Sequence, residues 1–144
     1  DAGIIYLEDD VVEIEGLYIY GNPYTPKYGN WAFMKTPEKL NRYWREVRPI
    51  YTDILVTHGP PKGILDKSYN RSREIDQCGD KNLLNMVKEL KPFYHLFGHI
   101  HNVRDLMNSG TCRISGINTT FSNGTVVTDN KFGTLTSNGN ILEI

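Results

Sequence analysis

Two short apolar runs, each followed closely by a histidine, constrain this chain more than any other feature. Residues 53–57 (DILVT) are followed directly by His58, and residues 93–97 (FYHLF) are followed by a glycine and then His99. Between the two runs, Asp80 is placed to cap a helix whose apolar residues fall on one side. A strand, a helix and a second strand form a unit whose strands run parallel, with a right-handed crossover. The sequence therefore predicts an α/β fold with both strands in one sheet.

Three of the four histidines are predicted to meet at one edge of that sheet. His58 follows the first strand, and His99 and His101 follow the second. Parallel strands share a carboxyl edge, which is where open α/β sheets bind their ligands. Neutral imidazole is a good ligand for zinc, iron, manganese or nickel ions, and two histidines spaced i and i+2 on a turn suit two neighbouring ions. We therefore predict a metal site here, whereas His95, inside the second strand, is interpreted as a structural residue.

The N-terminal part of the chain predicts short strands followed by a loop. The strand-type runs are residues 4–7, 11–14 and 17–20. Glu15-Gly16 lies where a tight hairpin turn would join the last two of them. Residues 21–35 are rich in Gly, Pro, Asn and aromatic residues, which is typical of an ordered loop with aromatic packing.

A first helix is predicted between this loop and the first buried strand. Thr36 can act as its N-cap and Pro37 as its first residue, and Pro49 follows its expected end. The residues with the spacing of one buried face are Leu40, Tyr43, Trp44 and Val47.

The C-terminal part returns to short strands after Cys112. Asn-Gly pairs at Asn123-Gly124 and Asn138-Gly139 predict turns between them. No linker or internal repeat divides the chain, so residues 1–144 are interpreted as a single, partial domain.

Composition excludes several classes of protein. The formal net charge is −1 and the sixteen basic residues are scattered, so no dedicated nucleic-acid surface is indicated. No run of about 18 apolar residues is present, which excludes a membrane helix. Cys78 and Cys112 do not have the spacing of a disulfide framework or a zinc ribbon, so a cytoplasmic protein with reduced thiols is expected. The chain has no initiator Met and no signal peptide, and we expect it to be part of a longer polypeptide.

The motifs resemble those of the calcineurin-like metallophosphoesterases, and most closely the subgroup of metallophosphoesterase domain-containing proteins. The segments that carry the resemblance, in chain order, are residues 19–26 (IYGNPYTP), 31–33 (WAF), 53–61 (DILVTHGPP), 78–79 (CG) with 83–84 (LL), 97–101 (FGHIH) and 120–124 (TFSNG). A lone GHxH would be a moderate signal, but the ordered set covers nearly the whole chain.

The resemblance implies a fold, a cofactor and a reaction. The fold would be the C-terminal half of a four-layer αββα sandwich with mixed sheets. His58 and His99 would ligate one of two divalent ions of the Mn, Fe, Zn or Mg class, and His101 would ligate the other. The reaction would be hydrolysis of a phosphodiester or phosphomonoester by a metal-held hydroxide. The family's D-x-H, G-D-x-x-D and G-N-H motifs, which supply the other ligands and the general acid, do not occur before Ile19.

Several expectations follow for partners, and alternatives stay open. The partners implied are a phosphoester substrate, with nucleotides among the candidates, and the N-terminal half of the same domain. Without that half, the chain would expose an apolar face or edge of its sheet, which would favour self-association. Asn22 and Asn123 are weak candidates for substrate binding, with loop packing and a turn as the respective alternatives. The chain alone is expected to be inactive. It could also be a non-catalytic relative that serves packing or protein interaction, or a mononuclear module using only the three histidines.

Overall fold

A six-stranded mixed sheet forms the centre of the computed structural model, within the residues that it describes, 3–46, 51–128 and 133–144. The strands and helices of these residues are, in chain order, β1 Asp10–Ile14, β2 Leu17–Asn22, β3 Thr25–Pro26, β4 Met34–Lys35, α1 Pro37–Glu46, β5 Ile54–Thr57, β6 Lys67–Tyr69, β7 Ile75–Gln77, α2 Lys81–Leu90, β8 Tyr94–Phe97, β9 Gly110–Ile114 and β10 Ile117–Asn123.

The order of strands across the sheet is β1-β2-β5-β8-β10-β9. The four inner strands run parallel to one another, and an antiparallel strand pairs with each end of this parallel set. The predicted parallel pairing of β5 with β8 is confirmed: Ile54, Leu55 and Val56 lie opposite Tyr94, His95 and Leu96. The predicted α/β class with a mixed sheet is confirmed as well.

Both helices have the local signals that the sequence predicted. Thr36 Oγ1 accepts a hydrogen bond from the backbone N–H of Lys39 at the start of α1, and Asp80 Oδ1 accepts one from Asn82 at the start of α2. Lys91 ends α2 in the left-handed conformation that commonly closes helices. Val47 and Pro49, which the sequence placed at the end of the first helix, lie outside the described residues.

The hydrophobic core lies between one face of the sheet and the two helices. Because β2, β5 and β8 are adjacent in that order and joined by crossovers, α1 and α2 lie on the same face and contact each other. The buried residues of this core are Tyr20, Leu55, Phe97 and Phe121 from the sheet, Leu40, Trp44, Leu83, Met86 and Val87 from the helices, and Ile64 from the loop after β5.

Segments near both ends of the chain contact the other face of the sheet. Leu7 packs directly over Gly21, where an added Cβ would lie 2.4 Å from the Leu7 Cβ. At the C-terminal end, the Tyr94 hydroxyl donates to the carbonyl of Glu143. The near-continuous apolar run of residues 53–57 is typical of a strand buried on both faces, but Val56 on this face is 37% exposed. The described residues thus supply one sheet and one helical layer.

Two other local predictions are wrong. Residues 4–7 form no strand, since Ile4 is 83% exposed and Leu7 reaches the sheet through its side chain rather than by pairing. Asn123 is the last residue of β10 and Gly124 follows it, so this pair forms no hairpin turn, and Asn138-Gly139 lies in a segment without strands. The C-terminal hairpin turns instead at Ser115-Gly116, between β9 and β10. The hairpin at Glu15-Gly16 is confirmed.

Candidate functional site

The turns that follow β5 and β8 meet at the carboxyl edge of the sheet, as predicted. The backbone N–H of Gly98 donates to the carbonyl of His58 over 3.1 Å, and the N–H of His58 donates to the carbonyl of Asn22 over 3.2 Å. The centroids of the His58 and His99 rings are 4.5 Å apart, with their planes inclined at 44°. Two imidazoles that are separated by forty residues in sequence are therefore neighbours in the fold.

The turn that carries His99 is strained. His99 has a positive φ of 70°, and the N–H of Ile100 donates to the carbonyl of Gly98 over 2.8 Å. This is a γ-turn of the rare positive-φ type, which costs a non-glycine residue about 1–3 kcal/mol. Glycine permits sharp backbone turns, which would favour Gly98 as the turning residue, but the residue in the unusual conformation is the histidine itself. An added Cβ at Gly98 would meet nothing within 4 Å, so there is open space beside it.

Gly59 gives the His99 ring room to approach. An ideal Cβ placed on Gly59 would lie 3.7 Å from Cδ2 of His99 and 3.3 Å from Cγ2 of Thr25. A larger side chain at this position would therefore press on the ring and on the loop that precedes α1. This close approach explains the glycine after His58 better than a need for an unusual backbone angle.

Electrostatics favour neutral imidazoles at this edge. Burial lowers the pKa of His58, although the residue is exposed on its outer side. Burial also lowers the pKa of His99, and positive charge on His58 or His101 lowers it further. Because a neutral ring nitrogen has a free lone pair, a lowered pKa makes both histidines available as ligands near neutral pH.

The donor set fits part of a metal site. Among residues 3–46, 51–128 and 133–144, no group of three or more His, Cys, Asp or Glu side chains is placed to hold one ion. The mononuclear module that uses only the three histidines therefore stays a prediction. A pair of adjacent neutral imidazoles, with His101 near enough to influence His99, fits an incomplete site whose other ligands come from elsewhere.

His95 is a core residue, as interpreted from the sequence. Its ring is fully buried between Phe97 and Phe121, with centroids 5.0 and 5.9 Å away. Thr57 Oγ1 donates to the carbonyl of Gly59 over 2.7 Å, so Nε2 of His95, 2.8 Å from the same oxygen, carries the proton and donates. Its Nδ1 has no partner in the part of the chain that is described. Burial lowers the pKa of His95 to about 3.

The two asparagines suggested for substrate binding are buried and bonded within the chain. Asn22 is 3% exposed; its Nδ2 donates to the hydroxyls of Tyr20 and Tyr43, and its Oδ1 accepts from the N–H of Tyr24. Asn123 is fully buried, and its amide bonds three backbone groups. Their role in substrate binding stays a prediction, and the packing alternative accounts for every bond observed.

An aromatic residue that the sequence did not single out lies beside the histidines. The Tyr28 ring is 5.4 Å from the His99 ring and 5.7 Å from Trp31. Both aromatic side chains are exposed, at 60% and 71%. The only signal in the sequence was the aromatic composition of residues 21–35, which predicted packing within the loop but not its position against the site.

Comparison with known proteins identifies relatives over most of this chain. No protein-family model matches it. It is 38% identical over 128 residues to human metallophosphoesterase domain-containing protein 1, covering 88% of this chain and 36% of that protein. It is 44% identical over 102 residues to UPF0046 protein T07D4.2 of Caenorhabditis elegans, covering 69% of this chain and 24% of that protein.

Two further likenesses carry less information. A probable rhamnogalacturonate lyase C of Emericella nidulans is 43% identical over 103 residues, but the match spans only 9% of that protein. A solved crystal structure aligns with this chain at a TM-score of 0.51 and 16% identity. The alignment covers 83% of this chain and 45% of the chain in that structure, and at this low identity it supports the fold alone.

The relatives, the topology of the sheet and the placement of the motifs all indicate the same family. The chain spans about a third or less of the length of the human and nematode relatives. Within that part, the segments that carry the resemblance lie in strands, at strand ends and in loops, except for Leu83-Leu84, which lies in α2. This chain belongs to the family of the metallophosphoesterase domain-containing proteins.

Proposed function

We propose that this chain supplies His58, His99 and His101 to a two-metal site that hydrolyses phosphoesters in the complete protein. The observation that carries the proposal is the 4.5 Å separation of the His58 and His99 rings at the carboxyl edge of two parallel strands. Membership of the family supports the class of reaction. The substrate would be a phosphodiester or a phosphomonoester, with nucleotides among the candidates.

The chain's own residues would hold and separate the two ions. His58 and His99 would ligate one ion and His101 the second, while the open space beside Gly98 leaves room for them. When bound, two such ions supply a hydroxide nucleophile at neutral pH and stabilise charge on the phosphoryl oxygens. The lowered pKa values of His58 and His99 mean that these rings need not lose a proton first.

The remaining ligands would come from a second half of the domain packed on the sheet face opposite the helices. Val56 on that face is partly exposed, and its strand ends at Thr57, directly before His58. A segment that covers this face would also reach the carboxyl edge, where carboxylate ligands are needed. In the described part of the chain, neither helix is long and apolar enough to cross a membrane. A cytoplasmic location stays a prediction.

The test uses the protein that includes the sequence upstream of this chain. Hydrolysis of bis(nitrophenyl) phosphate is measured with Mn²⁺ and after treatment with a chelator. Replacing His58, His99 or His101 by alanine should lower kcat by at least about 100-fold. Cys78→Ser, at an exposed free thiol, serves as the matched control and should keep full activity. Unchanged turnover in the histidine variants would rule out their proposed role.

A non-catalytic role is the second candidate. It is favoured by the finding that no complete metal-ligand group occurs among the described residues. If the longer protein binds no divalent ion by calorimetry, this alternative is preferred. If it binds close to two ions per chain and His99→Ala removes at least one, the enzyme is preferred.

A further inference from the structure

The strained turn at His99 needs outside support to persist. A γ-turn with a positive φ at a non-glycine residue is maintained only when the surrounding structure over-determines it. The internal hydrogen bond from Ile100 to Gly98 is present, but it closes a turn that is itself unfavourable. The groups that bond the following carbonyls can hold the turn, together with the bond from the N–H of Gly98 to the carbonyl of His58.

Asn123 connects this turn to the loop that leaves His58. Its Nδ2 donates to the carbonyl of Ile100 and to the carbonyl of Leu65, each over 3.1 Å. Its Oδ1 accepts from the N–H of Thr125 over 3.0 Å, so all three bonds of the amide are to backbone. Ile100 lies between the two predicted ligands of the second turn, and Leu65 lies on the loop after His58. One buried amide thus bridges both histidine-bearing segments.

Asn108 holds the next carbonyl along the chain. This residue is also fully buried, and its Nδ2 donates to the carbonyl of His101 over 2.8 Å. The same amide pairs with both backbone groups of Lys67, at 2.8 and 2.9 Å, at the start of β6. Consecutive carbonyls, those of Ile100 and His101, are therefore each bonded by the side chain of a fully buried asparagine.

We propose that Asn123 and Asn108 are positioning residues for the histidine site. They hold the strained turn at His99 and fix its distance from the turn at His58, without touching a metal or substrate. Removing one amide takes the side-chain donor away from the carbonyls that it bonds, so the turn is expected to relax towards a more favourable φ. The relevance to catalysis rests on the proposed function, whereas the positioning of the rings does not.

The first test uses the full chain without metal. Asn123→Ala and Asn108→Ala are compared with wild type and with Asn118→Ala, an exposed asparagine on the same strand as Asn123. Proton NMR measures the Overhauser contact between the rings of His58 and His99. We expect this contact to be lost in the two buried variants and kept in the exposed one. If one of Asn123→Ala and Asn108→Ala does not fold, the ring contact in the other variant tests the proposal. Retention of the ring contact in a folded buried variant would overturn the proposal.

The second test separates positioning from general stability. Zn²⁺ affinity is measured by calorimetry for wild type, Asn123→Ala, His58→Ala and the double variant. Asn123→Ala should weaken binding about 10- to 100-fold when His58 is present and have little further effect when it is absent. An equal loss in both backgrounds would mean a merely structural role and overturn the proposal. If wild type binds no Zn²⁺, the metal-free ring contact alone decides the positioning role, and the hydrolysis assay on the longer protein decides the proposed function.

Discussion

The buried ring of His95 should make this fold sensitive to acid. Its pKa is lowered from 6.5 to about 3 because burial between aromatic side chains disfavours the charged form. The folded-state pKa is thus below the unfolded one, so the unfolded chain binds more protons between the two values. The contribution of the neutral ring to stability is therefore complete above about pH 6.5 and is lost progressively as the pH falls towards 3.

The size of the effect follows from the two pKa values. Each pH unit within this window changes the free energy of unfolding by about 1.4 kcal/mol. Lowering the pH from 7 to 5 therefore removes roughly 2 kcal/mol that is attributable to His95. With a urea m-value of about 2 kcal/mol per M, the unfolding midpoint should fall by about 1 M.

The assay is urea unfolding of wild type and His95→Gln at both pH values. Glutamine keeps an N–H that can donate towards Thr57 Oγ1 but does not titrate, so the variant should lack this part of the acid sensitivity. His58→Gln is the control: its ring is exposed on its outer side, and it should retain most of the wild-type loss. An equal drop in midpoint for wild type and His95→Gln would refute the reasoning.

Three further outcomes are expected from single substitutions or from the chain alone. Gly79→Ala should destabilise by about 1–3 kcal/mol in urea unfolding, because its Cβ would lie 2.5 Å from a backbone oxygen, whereas Gly124→Ala, with its nearest atom 3.8 Å away, should be neutral. Asp80→Ala should lower the free energy of unfolding by about 3 kcal/mol in the same assay, since it removes both the cap of α2 and the 2.6 Å hydrogen bond from Trp44 Nε1. A loss below about 1 kcal/mol would contradict this. The 144-residue chain should not hydrolyse nitrophenyl phosphate with added Mn²⁺ because it lacks the family's carboxylate ligands; turnover that disappears in His99→Ala would contradict this.

The parts of the fold that could be predicted have signals close together in sequence. Thr36-Pro37 and Asp80 mark helix starts, and each satisfies backbone N–H groups a few residues away. The apolar runs before His58 and His99 end at the glycines and prolines that break a strand. Once parallel pairing was inferred, the convergence of the two histidines followed from topology, and their adjacency bears this out.

The features that were missed depend on contacts between distant residues. The amide of Asn108 bonds Lys67, 41 positions away, and no local pattern marks such a pairing. Asn123 precedes a glycine and has the local signature of a turn, but tertiary bonds to Leu65 and Ile100 determine its place. The apolar run at residues 4–7 is a similar case, because strand propensity alone does not provide a neighbouring strand.

The hydrogen bonds that hold the turns at His58 and His99 affect how this edge of the sheet would bind cations. The turn at His58 is tied to the core through Thr57 and His95, and the turn at His99 is tied through Asn123. These bonds are made by buried groups and need no ion to complete them. An ion binding between His58 and His99 would therefore meet rings that are already adjacent, and little of its binding free energy would be spent on ordering the loops. If Asn123 holds the turn as proposed, the strain at His99 is offset by the fold itself, as a preorganised site requires.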